Sequence, residues 1–520
     1  MAQFEINDVI IDHTDVLKYI NTTFPIIEVF IDENNNIRSG TNYDVSDVAL
    51  YKYLFDLGVN LTNEIYSPEY NFYLIAHIAG LGYYSIVQYL IEIGADVNID
   101  DNSAINYASL SGHYHVVKLL LAHSKNTNYD IMYAIKSDNY SIIKLLLDAG
   151  ASVNVDNNYV IRYVAEFCSL DLLKLLISYG TNTDYCDAFE KVVARGYIDK
   201  VKYFINLGIT NYNQALVLAS KNNHIEIVKL LISLGEYNDS FMSEVVCFAA
   251  MGGHYDMIKL LIENNASIDH AIEPASQFGH LDIVKLLIEL GADVTFDSNQ
   301  AICCAAENGY ISIVKLLIEH GADIQANLNS PRQYRQKVDI ARGSVGPIGF
   351  AAHSGHIDVV KFLIEQGADL TDDDNYAICT ASLYGHVDVV KLLIDNSADI
   401  TADNNYSIRK ASRHGHLDTI KLLINSGADI TAKNNYALRK ASRYGHLATV
   451  KLLINSGADI TVKNNYILRK VSKYGHLDII KLLIDYNVDI TVDDNCAVKI
   501  AAENNHTDII KLLLENGASL

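Results

Sequence analysis

The segment Val390-Lys391-Leu392-Leu393-Ile394 recurs along this chain with little change, and nothing else in the sequence limits the fold as strongly. Its lysine serves as a ruler. The same phase is held by Lys118, Lys144, Lys174, Lys202, Lys229, Lys259, Lys285, Lys315, Lys361, Lys391, Lys421, Lys451, Lys481 and Lys511. Gln88 keeps it earlier, and Lys52 keeps it more weakly. From Lys52 the spacings are 36, 30, 26, 30, 28, 27, 30, 26, 30, 46 and then five of 30. Sixteen copies of one unit therefore occupy residues 46–520. A period of this size is the mark of stacked repeats.

Each unit predicts two short helices. In residues 434–460, Asn434 and Asn435 signal a turn, and Tyr436 to Tyr444 can form a first helix with Leu438 and Ala441 on one side. Gly445 suits the left-handed position that ends a helix. Leu447 to Asn455 then forms a second helix with Val450, Leu453 and Ile454 on one face, and Gly457 ends it. Helices this short are marginal alone in water, and neither can bury its apolar face within one unit. Stacking unit on unit buries a continuous core. Leu393, Leu423, Leu453 and Leu483 should then form one buried column, with every ruler lysine exposed.

The run Gly415-His416-Leu417-Asp418-Thr419-Ile420-Lys421-Leu422-Leu423-Ile424, followed by Gly427-Ala428-Asp429-Ile430, resembles the ankyrin repeat. That resemblance implies an all-α solenoid of helix pairs joined by β-hairpin fingers. The family's common unit has 33 residues and opens on Thr-Pro-Leu-His. Here the commonest unit has 30, Tyr436-Ala437-Leu438-Arg439 stands in the tetrad's place, and only Pro347 restores its proline. The missing residues map to the finger tip, so the fingers are expected to be shortened. Abundant Asn, Ile, Lys and Tyr, with no Trp and 5 Pro, resemble the ankyrin repeat proteins of large amoeba-infecting DNA viruses, the mimivirus-like group. Residues 1–45 do not fit the unit and are expected to form a small N-terminal cap. Within it, His13 to Lys18 could be a decayed second helix, and Phe24 to Ile31 followed by Asn34–Asn36 a strand and turn. The array is expected to end at Leu520 without an F-box-like segment.

The formal net charge of −23 argues against general binding to nucleic acid or anionic membrane. Seven scattered cysteines argue against a disulfide framework and for a reducing compartment. The acidic start has no apolar signal segment, and no apolar run approaches the length of a membrane span. The expected location is intracellular and cytoplasmic, in a host cell if the viral resemblance holds.

Chemistry is not expected. His113, His224, His254, His280, His356, His386, His416, His446, His476 and His506 all sit five residues before the ruler position. Stacked repeats would hold them about 9–10 Å apart, too far to share one metal; hydrogen bonding in the turn between helices is the expected role. Cys303, Cys304, Cys379 and Cys496 lack metal-ligand spacing and suit small core positions. Asp372 to Asn375 lacks the glycine and terminal Glu of a calcium loop. Gly343, Gly346 and Gly349 lack the Lys-Ser/Thr of a phosphate loop. The expectation is no enzyme, no cofactor and no metal. Lysines with an acid four residues on, such as Lys391/Asp395 and Lys481/Asp485, predict ordinary surface pairs.

Two features rise above this background. The first helices of three successive units carry Arg409, Lys410 and Arg413; Arg439, Lys440 and Arg443; and Arg469, Lys470 and Lys473. No acid lies in residues 404–416, 434–446 or 464–476. With His414, Tyr444 and Tyr474 beside them, these residues are expected to face a partner on the concave side. The second feature is an insertion at 327–345 holding Arg332, Arg335, Lys337 and Arg342, expected to protrude as a finger or loop. The reading is a monomeric, non-catalytic scaffold for a protein partner, an acidic one where the basic stripe makes the contact, with no small-molecule substrate. Two alternatives stay open: an adaptor for a ubiquitin ligase or other host machinery, and polyanion or nucleic-acid binding by the basic stripe.

Overall fold

The computed structural model describes residues 4–6, 9–11, 29–31, 37–39, 48, 51–52, 55, 64–66, 71–126, 129–153, 159–180, 185–326 and 345–520. The chain forms two compact units, Met1–Leu218 and Ala219–Leu520. In the first, three antiparallel two-stranded ladders come before Leu74: Phe4–Ile6 with Val9–Ile11, Val29–Ile31 with Ile37–Ser39, and Glu64–Tyr66 with Asn71–Tyr73. Helix pairs follow, beginning with Leu74–Leu81 and Tyr84–Glu92 and continuing to Cys186–Arg195 and Ile198–Asn206. In the second unit the pairs run from Asp239–Met251 and Tyr255–Glu263 to Val492–Glu503 and Thr507–Glu515. Within each pair the helices pack on each other, and the first helices of neighbouring pairs pack side by side.

The ruler register is the packing register. Leu393, Leu423 and Leu453 are 0% exposed and Leu483 is 1% exposed. All fourteen ruler lysines from Lys118 to Lys511 lie on second helices and are exposed. Of the pairs expected with an acid four residues on, Lys511 meets Glu515 at 4.0 Å, while other ruler lysines turn to an acid on the opposite side. Lys421 pairs with Asp418 at 2.9 Å and Lys481 with Asp478 at 3.2 Å, three residues earlier. Those aspartates occupy the first helical turn, where the helix dipole favours a negative charge.

The shortened β-hairpin fingers are not there: among the described residues, no β-strand follows Tyr73 and none lies between two described helix pairs. The join is instead one compact turn. Thr431 donates to Asp429 Oδ1 through its N–H at 2.8 Å and its hydroxyl at 2.6 Å. The clasp repeats at Asp369/Thr371, Asp399/Thr401, Asp459/Thr461 and Asp489/Thr491. Three left-handed residues follow, such as Asp403, Asn404 and Asn405 at φ 41°, 56° and 60°. Asn and Asp enter this region more readily than other side chains that carry a Cβ. The third asparagine ties the turn to the next repeat, because Asn405 Oδ1 accepts from Asp429 N–H at 2.7 Å and Asn435 Oδ1 from Asp459 N–H at 3.0 Å. With three residues fewer per unit, this turn reverses the chain and leaves nothing to build a hairpin.

Residues 327–344, and with them Arg332, Arg335, Lys337 and Arg342, lie outside the described residues, as does the helix expected over 13–18.

Candidate functional site

The histidine ladder positions the first helices. His446 heads the second helix Leu447–Asn455, and its Nε2–H donates to the carbonyl of Arg413 in the preceding repeat at 2.9 Å. His476 reaches Arg443 at 2.9 Å and His506 reaches Lys473 at 3.0 Å. His113, His254, His280, His386 and His416 make the same bond one repeat back. A carbonyl only accepts, so each bond puts the proton on Nε2. The bond therefore crosses between repeats, where the sequence pointed to one turn.

The glycine at the end of the preceding first helix makes room for the ring. Gly415 has φ +79°, and a Cβ there would lie 2.6 Å from His446 Nδ1. Helix ending and ring access thus require the same residue. Burial is the main cause holding His416 below the ordinary imidazole value, against its bond to the Leu383 carbonyl, which raises it.

On this frame the cations form two columns. Arg409 is only 5% exposed. Its Nε donates to Asn404 O at 2.9 Å and its Nη2 to Asp403 O at 2.7 Å, closing the left-handed turn of its own repeat. Its guanidinium lies between Tyr406 and Tyr436, 5.6 and 5.3 Å from the ring centroids. Arg439 repeats the arrangement between Tyr436 and Tyr466, at 5.6 and 5.2 Å. Lys410 is buried, with its ammonium 5.0 Å from the Tyr406 ring centroid. Lys440 and Lys470 sit likewise over Tyr436 and Tyr466, at 5.2 and 5.4 Å. This inner column joins repeats together.

The outer column is the more open one. Arg413 and Arg443 are half-buried, Lys473 is exposed, and His414, Tyr444 and Tyr474 are exposed beside them. Arg413 lies 5.6 Å from the Tyr444 ring, and Arg443 lies 5.8 and 5.3 Å from Tyr444 and Tyr474. Burial pushes Lys440 below the ordinary lysine value, and Arg443, Arg413 and Arg439 push the same way. Arg469, Lys470 and Lys473 border an open concavity of about 330 Å³.

The stacking tyrosines Tyr406, Tyr436 and Tyr466 were not singled out from sequence. Their signal is a constant position three residues before each arginine, on the same helix face.

The remaining candidates give no reaction centre. Cys303, Cys304 and Cys379 are buried, and burial pushes the Cys304 thiol up to about 12. Among the described residues, no three His, Cys, Asp or Glu side chains converge to hold a metal. No described helix is long and apolar enough to cross a membrane.

A family model described as Ankyrin repeats (3 copies) matches residues 47–131, 74–157, 160–242, 187–272, 218–296, 246–328, 343–404, 401–464 and 438–520. No curated protein matches the chain.

Proposed function

The chain belongs to the ankyrin-repeat family, a non-catalytic scaffold fold, and from that premise we propose that it docks an acidic partner protein on the first helices of residues 402–474. The outer column of Arg413, Arg443 and Lys473 carries this reading. Three cations recur at one register in a protein of net charge −23, with no acid in residues 404–416, 434–446 or 464–476. Their spacing is fixed, because His446, His476 and His506 hold the backbone carbonyls of those same three residues. Fixed guanidinium groups favour bidentate contact with carboxylates, and exposed tyrosines add apolar contact area. The buried Arg409 and Lys410 support the surface from beneath. The resemblance to mimivirus-like proteins supports a partner in the host cytoplasm.

The test is affinity capture followed by quantitative mass spectrometry. Wild type is compared with the triple variant Arg413→Glu, Arg443→Glu and Lys473→Glu. The expected result is loss of an acidic protein from the triple variant, at unchanged helical circular dichroism. Undiminished capture by the folded variant would reject the docking face. Ligase subunits among the captured proteins would identify an adaptor. Nucleic acid bound with a steep salt dependence, in place of protein, would replace this reading with the polyanion one.

A further inference from the structure

Both cation–ring columns break at the same step. In the outer column the next repeat supplies Tyr444 to Arg413 and Tyr474 to Arg443. Thirty residues on from Tyr474 stands Asn504, so no tyrosine follows for Lys473 at that register. In the inner column Cys496 stands at the register of Tyr436 and Tyr466. The concavity of about 330 Å³ opens here, with Lys473 and Tyr466 on one wall and Ile500, Glu503 and Asn504 on the other. The backbone at Asn504 accepts a tyrosine without strain. Asn504 closes its helix at φ −105°, ψ 9°, and Tyr444 closes the equivalent helix at φ −95°, ψ 4°.

We infer that this cleft takes an aromatic anchor from the partner: a tyrosine in an acidic segment, whose ring supplies the missing rung over Lys473. The inference rests on the docking face proposed above. A ring over the Lys473 ammonium is attracted through its negative face, as the rings over the Arg413 and Arg443 guanidinium groups are at the filled steps. Glu503 ends the cation column, so the segment's carboxylates run back from the ring towards Arg443 and Arg413. The Glu503 carboxylate also offers an acceptor to the ring hydroxyl.

The test uses the full chain and two fluorescein-labelled peptides of mixed Asp and Glu, one with a central Tyr and one with Ala in its place. Fluorescence anisotropy reads the affinities. The Tyr peptide should bind roughly tenfold more tightly to wild type. Asn504→Tyr completes the column from within and should abolish that preference while leaving the Ala peptide unchanged. Lys473→Met, which removes the cation beneath the ring, should bring the ratio of the two affinities towards one. Equal affinities for wild type, or a preference that survives both variants, would overturn the anchor. Salt-sensitive binding of both peptides would then still leave the docking face standing. Failure of both peptides to bind would overturn the anchor and count against the face as well.

Discussion

Residues 239–319 and residues 402–485 stack their helix pairs in the same way. Leu261, Leu287 and Leu317 are 0% exposed in the first stretch, as are Leu423 and Leu453 in the second, where Leu483 is 1% exposed. His280 holds the Met251 carbonyl at 3.0 Å as His446 holds that of Arg413 at 2.9 Å. The first helices nevertheless present different chemistry. At the register of Arg413, Arg443 and Lys473 the earlier stretch has Met251, Gln277 and Glu307. At the register of Arg409, Arg439 and Arg469 it has Cys247, Glu273 and Cys303. The stack is carried by the buried residues of both helices, with successive first helices packed side by side, and by the histidine–glycine contact, so only the positions of the first helix outside that core are free to vary.

If that separation holds, truncating the shared column should cost the same in both stretches. Leu287→Ala and Leu453→Ala should each destabilise their surroundings by roughly 2–5 kcal/mol. Hydrogen exchange is the suitable readout, because a long repeat array need not unfold in one step. A clear inequality between the two would break the comparison.

The next effect separates two kinds of glycine. Gly427 and Gly291 are left-handed at φ +93° and +91° with open space around them, so Ala there should cost about 1–2 kcal/mol of backbone strain alone. At Gly415 and Gly253 a new Cβ would meet His446 or His280 at 2.6 or 2.7 Å. Ala there should cost more by thermal denaturation, and equally in both stretches. Equal losses at all four glycines would remove the histidine contact from the account.

Arg439→Met should sharpen the contrast. It removes a half-buried guanidinium from between two rings and should cost about 1 kcal/mol.

The smallest effect has opposite signs in the two stretches. Burial and the nearby Arg413 hold His414 below the ordinary imidazole value, and burial also lowers His416. Their unfolded forms take up protons first as pH falls through the usual imidazole range, so residues 402–446 should lose stability there. Burial raises Glu273 above the ordinary carboxylate value, against the thiol bond from Cys304, which lowers it. Its penalty is present at neutral pH and disappears as pH falls through that raised value, so residues 269–304 should gain. Local stabilities read by exchange should therefore diverge as pH falls from neutrality through the imidazole range and on through the raised Glu273 value, and parallel trends would contradict the burial of these groups.

The helix pairs were legible because apolar residues and a lysine recur in fixed phase. The loss of the fingers was half legible: the unit length showed three residues missing, but only the φ angles of Asp403, Asn404 and Asn405 show a turn that dispenses with the hairpin. Arg409 was indistinguishable from Arg413 in a pattern of charges. One repeat apart, Tyr406 and Tyr436 close over Arg409, and contact between repeats is what a single unit's sequence does not display.

Hydrogen exchange on the complex with the captured partner addresses the docking face directly. The account predicts slowed exchange in the first helices Ala402–His414, Ala432–Arg443 and Val462–Tyr474, with Asp239–Met251 and Phe296–Glu307 unchanged. Protection confined to those two earlier helices, or to second helices such as Leu447–Asn455, would contradict it.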